Sequence, residues 1–232
     1  PPPPPLLPPL PATPPPPPMP PAVPVYSEAE LRAALTASTV RIVIATPIIV
    51  LTQALGSPSL GPSALRISNH VLLEAEPGRQ VVLDANASAA DPRRVVLVDA
   101  GATLEVRGVV FTGGHIQQVG GGVLVFGGTL RLLNGSGVRG CVVNRSGAAN
   151  AIGGGIFNFG GTLEMEGAAL TDNVAEAAEG QASGGGLHNG GQAIAGLVSI
   201  FVENNTARTA SETQTAAGGG VANFGDLTMR DA

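Results

Sequence analysis

A right-handed parallel β-helix, an all-β solenoid with three faces, is the fold class this 232-residue sequence predicts, and three observations carry the prediction. First, triple glycines recur at Gly120–Gly122, Gly153–Gly155, Gly184–Gly186 and Gly218–Gly220, at intervals of 33, 31 and 34 residues, the spacing of a stacked-repeat architecture. Second, a five-residue segment with two-residue alternation returns within these periods: Thr103-Leu104-Glu105-Val106-Arg107, Thr129-Leu130-Arg131-Leu132-Leu133, Thr162-Leu163-Glu164-Met165-Glu166 and Asp226-Leu227-Thr228-Met229-Arg230. Third, 44% of the residues are apolar but only 3% are aromatic, with no Trp, so the core must be Val, Leu, Ile and Ala in thin stacked layers.

Taken in order, residues 1–24 hold 16 of the 21 prolines, which fix φ and remove backbone donors. The expectation is a disordered, extended polyproline II stalk, acting as a spacer or as a ligand for proline-binding modules. In composition it resembles the hydroxyproline-rich stalks of plant and green-algal wall glycoproteins. Residues 25–38 are expected to form a capping helix. Ser27 and Glu30 have capping-box spacing, Tyr26 and Leu31 occupy the staple positions, and Leu31, Ala34 and Leu35 make one apolar stripe ending near Ala37. Its place before a stack of strands suits it to cover the first layer.

From residue 39 to 232 the pattern is that of the solenoid, and it stops mid-repeat at Asp231-Ala232, which predicts a body truncated at its C-terminal end. Short β-branched runs separated by turns fill residues 40–98. Beyond them Leu104/Val106, Leu130/Leu132, Leu163/Met165 and Leu227/Met229 should point inward and stack at about 4.8 Å per layer. The matching outward column reads Glu105, Arg131, Glu164, with alternating sign. Between Thr162 and Asp226 one layer looks degenerate, with no clean register over Gln192–Leu197. A second column places Val123, Ile156, Leu187 and Val221 together and, two residues on, Asn158, Asn189 and Asn223 as a side-chain ladder. A third aligns Cys141-Val142-Val143-Asn144 with Leu170-Thr171-Asp172-Asn173 and Phe201-Val202-Glu203-Asn204. Three strands per period describe a three-faced coil, right-handed by the general rule for parallel crossovers.

The glycine-led strand followed by Asn, Thr-Leu and [FL]-x-x-N resembles the repeats of right-handed β-helix proteins of the pectin-lyase-like superfamily. It is similar in particular to the GGA[ILV]/FxxN repeats of polymorphic outer-membrane proteins, through Gly154-Gly155-Ile156 with Leu170 to Asn173, and Gly185-Gly186-Leu187 with Phe201 to Asn204. The resemblance implies an extracellular protein at the cell surface or in the cell wall, non-catalytic, structural or adhesive, presenting sheet faces to wall polysaccharide or surface proteins. The alternative it implies is a polysaccharide lyase or glycoside hydrolase.

Composition narrows the partners. A net charge of −5, with Arg but no Lys, offers no cationic face to release counterions from nucleic acid. No stretch is apolar for long enough to span a membrane as a helix, and a monomer is expected. Chemistry is sparse. Asp84 and Asp99, near Arg79 and Arg107, are the only acid pair worth weighing, and their spacing of 15 residues puts them on different faces of the coil. His70, His115 and His188 are isolated, with His188 replacing Phe157 in the repeat register as a surface column position, so no catalytic, metal or cofactor set is expected. Cys141, the single cysteine, is expected to be a buried thiol. Asn86, Asn134, Asn144 and Asn204 lie in N-glycosylation sequons, candidates if the protein is secreted by a eukaryote.

Overall fold

A computed structural model describes residues 20–57 and 59–231, and these form a parallel β-solenoid of about six turns. All the paired strands run parallel, and each sheet is built from strands one coil apart in sequence. The first sheet runs Ala22–Val25, Thr39–Ile44, His70–Ala75, Thr103–Arg107, Thr129–Leu133, Thr162–Glu166, Ile194–Val198 and Asp226–Arg230. The second runs from Ile48–Val50 through Val81–Asp84, Val109–Thr112, Gly137–Arg139 and Ala169–Thr171 to Phe201–Glu203. The third runs from Ser63–Ile67 through Arg94–Val98, Val123–Phe126, Ile156–Phe159 and Leu187–Asn189 to Val221–Asn223.

The repeated Thr-Leu segments lie over one another in the first sheet. Leu130 pairs with Leu104 below and Leu163 above, and Leu132 with Val106 and Met165. All six are 0–1% exposed. The missing layer exists after all: Ile194–Val198 pairs with both neighbours and puts Ala195 over Leu163 and Leu197 over Met165. The expected degeneracy was a substitution to small residues, not a loss of register. On the last strand Leu227 is half-buried and Met229 is 46% exposed. Met229 keeps its column beside Leu197, but no described strand follows to cover it, so it does not point into a closed core.

The N-terminal boundary moves. Residues before 20 lie outside the described part, so most of the expected stalk does too. Within it, Ala22–Val25 is a strand paired to Arg41–Ile44, so the solenoid begins inside the stretch assigned to the stalk. The helix is Glu28–Ala34, capped by Ser27 and ending at Leu35 rather than near Ala37. Ser27 Oγ accepts from the Glu30 amide, and a Glu30 carboxylate oxygen accepts from the Tyr26 amide at 2.6 Å. Leu31 alone of the helix is fully buried, plugging the first layer of the core. Glu28 ties the cap to the loop at Thr52 and Gln53. Partial burial would raise its carboxyl, but hydrogen bonds from Thr52, Arg32 and Gln53 outweigh this and bring it down to about 2.

The three-faced expectation is incomplete. From the third coil on, the chain makes a side lobe between the second and third sheets. One lobe sheet holds His115–Ile116, Val142–Arg145, Val174–Ala177 and Thr206–Thr209; the other holds Ala151–Ile152, Ala182–Ser183 and Ala216–Ala217. Ile116, Val143, Ala151, Ala175, Ala177 and Ala182 form a small core of their own, separate from the main one. The triple glycines make this division possible. A Cβ on Gly154 would lie 2.4 Å from the Val174 carbonyl carbon and 2.5 Å from Gly185 O; one on Gly185 would lie 2.4 Å from both Thr206 O and Gly219 O. Only glycine lets the chain leaving the lobe cross this close to the chain entering it.

The lobe also corrects the third column. Leu170 pairs with Val138 and Val202 in the second sheet, while Cys141 leads a lobe strand in which Val142 pairs with Val174. Phe201 therefore sits over Ala169, 58% exposed, and Val202 takes the inward place. One residue of slip moves a side chain to the opposite face.

Candidate binding surface

Below the lobe's outer strands and above the outer face of the third sheet runs a corridor parallel to the solenoid axis. Its wall is the column Val119, Ile152, Ser183, Ala217, flanked by Asn150, Gln181 and Thr215 one coil apart. Its floor is the column Leu124, Phe157, His188, Ala222. The alternation of the third sheet sends Ile156 and Asn158 into the core and Phe157 and Phe159 out. Four of the six phenylalanines of the chain stand on this one face.

The rings form a continuous pile. Phe126 stacks on Phe159 at 5.6 Å and 13°, Phe157 tilts against Phe159 at 5.6 Å, His188 meets Phe157 edge-on at 5.2 Å, and Phe224 stacks on His188 at 5.0 Å. Each such pair adds about 0.5–1.5 kcal/mol beyond burial. His188, expected at a surface position, does face outward but is only 9% exposed, because the rings on either side cover it. Burial pushes its imidazole down to about 4, so it is neutral at physiological pH, and its Nδ1 shares a hydrogen bond with Ser183 Oγ at 3.0 Å.

The corridor has two chemically distinct ends. The upper end, a groove of about 320 Å³, sets Asn150, Gln181, Ser183 and Thr215 opposite His188 and Phe224. The lower end is an apolar cleft of about 200 Å³ enclosed by Leu60, Val119, Leu124, Phe126, Phe157 and Phe159. Among the described residues, neither is lined by a carboxylate, a guanidinium or an ammonium group.

Arg94 holds the lower end in shape. It is 0% exposed and has no carboxylate partner among the described residues; instead it donates to the carbonyls of Leu60, Gly61, Val119 and Gly120 and to Ser63 Oγ at 2.9 Å. Burial lowers its guanidinium to about 10. It ties the turn before the first strand of the third sheet to the turn two coils later, and these two turns are the cleft's walls. The neighbouring Arg93, 3% exposed, similarly binds Ala85 O and Asp91. Sequence reasoning passed over both, because an Arg-Arg pair before Val-Val reads as a solvated turn.

The residues singled out from sequence fall as follows. Asn158, Asn189 and Asn223 form an inward ladder, with Asn158 Nδ2 donating to Asn189 Oδ1 and Asn189 Nδ2 to Asn223 Oδ1, both at 2.8 Å. A second ladder went unread: Asn205 Oδ1 accepts from Asn173 Nδ2, and Asn173 Oδ1 accepts from the Cys141 amide. Asn204, aligned with Asn173 in the sequence, instead takes a left-handed turn at φ 54° beside it and is exposed. Asn86, Asn134 and Asn144 are exposed too, and Ser136 of the second sequon is buried, its hydroxyl donating to Val106 O and Leu133 O.

Glu105, Arg131 and Glu164 form the expected outward ion-pair column, with Arg131 at 2.5 Å from Glu105 and 2.7 Å from Glu164. Asp84 and Asp99 are apart: Asp84 accepts from the Asn86 amide, and Asp99 pairs with Arg66 at 2.6 Å. Arg79 pairs with Glu76, and Arg107 with Glu105. His70 is exposed on the first sheet, and His115 opens the lobe. Cys141 is fully buried, and burial raises its thiol to about 12. Among the described residues no three His, Cys, Asp or Glu side chains cluster, and no helix is long and apolar enough to cross a membrane. No family model, curated protein or solved structure matches this chain.

Proposed function

We propose that this protein is a non-catalytic, monomeric scaffold of a cell surface or cell wall that binds neutral carbohydrate along the upper corridor. The glycine-led repeats and Asn ladders support relating it to the pectin-lyase-like β-helices, and their likeness to polymorphic outer-membrane repeats supports an extracellular, adhesive setting.

The observation that carries the reading is the composition of the groove. Asn150, Gln181, Ser183 and Thr215 supply uncharged donors and acceptors from three successive coils, opposite aromatic rings that include the exposed Phe224 and the neutral His188. A sugar presents the same mixture: hydroxyls around its rim and an apolar C–H face. Several carboxylates on the flanks are engaged with arginines, as in Glu105–Arg131–Glu164, Arg41–Glu74 and Arg208–Glu176.

Affinity electrophoresis in gels containing a neutral β-glucan, an uncharged galactan or polygalacturonate tests the reading. Retardation by at least one neutral polymer is expected, reduced several-fold by Phe224→Ala or Gln181→Ala. Retardation by polygalacturonate alone, or release of unsaturated products from it with Ca²⁺, would overturn it in favour of a lyase or hydrolase.

A further inference from the structure

The corridor changes chemistry over a single rung. Among the described residues, the six side chains lining its lower end carry no hydrogen-bonding group, so a sugar seated there would lose water from its hydroxyls with nothing in return. Yet Phe126 and Phe159 remain 37% and 48% exposed, in a chain whose aromatic content is only 3%. The upper groove has the opposite character, with amide and hydroxyl groups from Asn150, Gln181, Ser183 and Thr215. An apolar molecule seated there would leave those groups unmatched.

The two ends abut. Phe157 lines the lower cleft and meets His188, which lines the upper groove, edge-on with ring centroids 5.2 Å apart. On the wall, Val119 of the cleft is bridged to Ile152 of the groove, one coil further on. The step between the ends is therefore about 4.8 Å, a distance that one linking oxygen spans between two six-membered rings. The cleft also favours a ring over an alkyl chain. Phe126 and Phe159 are stacked at 5.6 Å and 13°, and a third ring beside them gains edge and face contacts beyond the area it buries. An alkyl chain of similar area gains none. Because no ionic group lines either end among the described residues, the ligand that matches both is uncharged.

We propose that the whole corridor takes one ligand, a neutral sugar bearing an aryl group through a single oxygen, with the sugar in the upper groove and the aryl ring in the apolar cleft against Phe126 and Phe159. This rests on the carbohydrate reading of the upper groove and adds to it the chemistry of the substituent and the direction in which the ligand lies. The aryl end points toward the N-terminal coils.

Methyl NMR titration of the full chain with the methyl, hexyl and phenyl β-glycosides of glucose and of galactose tests the proposal. The methyl glycoside of the preferred sugar should shift Ile152, Ala182 and Ala217, which line the groove. The phenyl glycoside should shift Val119 and Leu124 of the cleft as well and bind about tenfold more tightly, with the hexyl form severalfold weaker than the phenyl. Phe159→Ala should remove most of the phenyl-to-methyl ratio, whereas Gln181→Ala should weaken both glycosides and leave that ratio in place. Equal affinities for the phenyl and methyl forms, or a hexyl form as tight as the phenyl, would overturn the proposal. So would the absence of any shift with all six glycosides. The polymer gels decide separately whether the carbohydrate reading itself stands.

Discussion

At the scale of single residues, His188 shows how the stack converts position into chemistry. A histidine on the outer face of a sheet would ordinarily titrate near 6.5. Here Phe157 and Phe224 enclose it, and burial brings it down to about 4. Because the folded value is depressed, the unfolded chain binds more protons between the two values, and folding stability falls as pH drops from about 6.5 toward 4. The loss should reach on the order of 2 kcal/mol once the partial solvent access of the ring is allowed for. Thermal unfolding across that window should show the slope, and His188→Phe, which keeps the aromatic pile, should flatten it. A His188→Phe variant with an unchanged slope would show that other groups are responsible.

At the scale of the element, the glycines divide into those that permit the architecture and those that only dilute it. Gly154 lies at a backbone crossing, so Gly154→Ala must push apart two coils and should lower stability by more than 2 kcal/mol. Gly196 lies mid-strand on the first sheet, with open space around its Cα and Glu164 as its neighbour. Gly196→Arg would restore a side chain to a strand interior and continue the Glu105–Arg131–Glu164 column by one step, a gain of about 0.5–1 kcal/mol in chemical denaturation. Opposite signs for the two substitutions are the expected result; equal losses would mean that Gly196 is also sterically required.

The same elements mark what the sequence could reveal. The Asn158 ladder was legible because its residues recur three places after a triple glycine, and much of the first sheet because its Leu-x-[VLM] alternation repeats; Ile194–Val198, which lacks that motif, was not. The lobe was not: its outer strands, such as Ala151–Ile152 and Ala182–Ser183, are two residues long, too short for any periodicity to show. Phe201 misled because the [FL]-x-x-N match aligned it with Leu170, whose partner in the sheet is Val202. The corridor could not be read at all, since its wall and floor combine residues from four coils, brought together only by stacking.

At the scale of the whole molecule, each strand pairs only with strands of the adjacent coils, so the solenoid should behave as a one-dimensional array. This can be tested by removing one coil without disturbing the register of the others. Deleting residues 162–193 joins Gly161 to Ile194, both already at the start of a strand of the first sheet. Ala195 and Leu197 would then cover Leu130 and Leu132, and Gly218–Gly220 would cross where Gly184–Gly186 did. Asn158 would meet Asn223 in a shortened ladder, since Asn189 bridges the two in the intact chain. The shortened protein should keep its β-sheet circular dichroism and cooperative melting, at a lower temperature because one set of interfaces is gone. Carbohydrate retention should weaken with it, because Gln181, Ser183 and His188 leave while Asn150, Thr215 and Phe224 remain. A globally unfolded product would mean that the coils are not interchangeable layers and that stability resides in contacts beyond nearest neighbours.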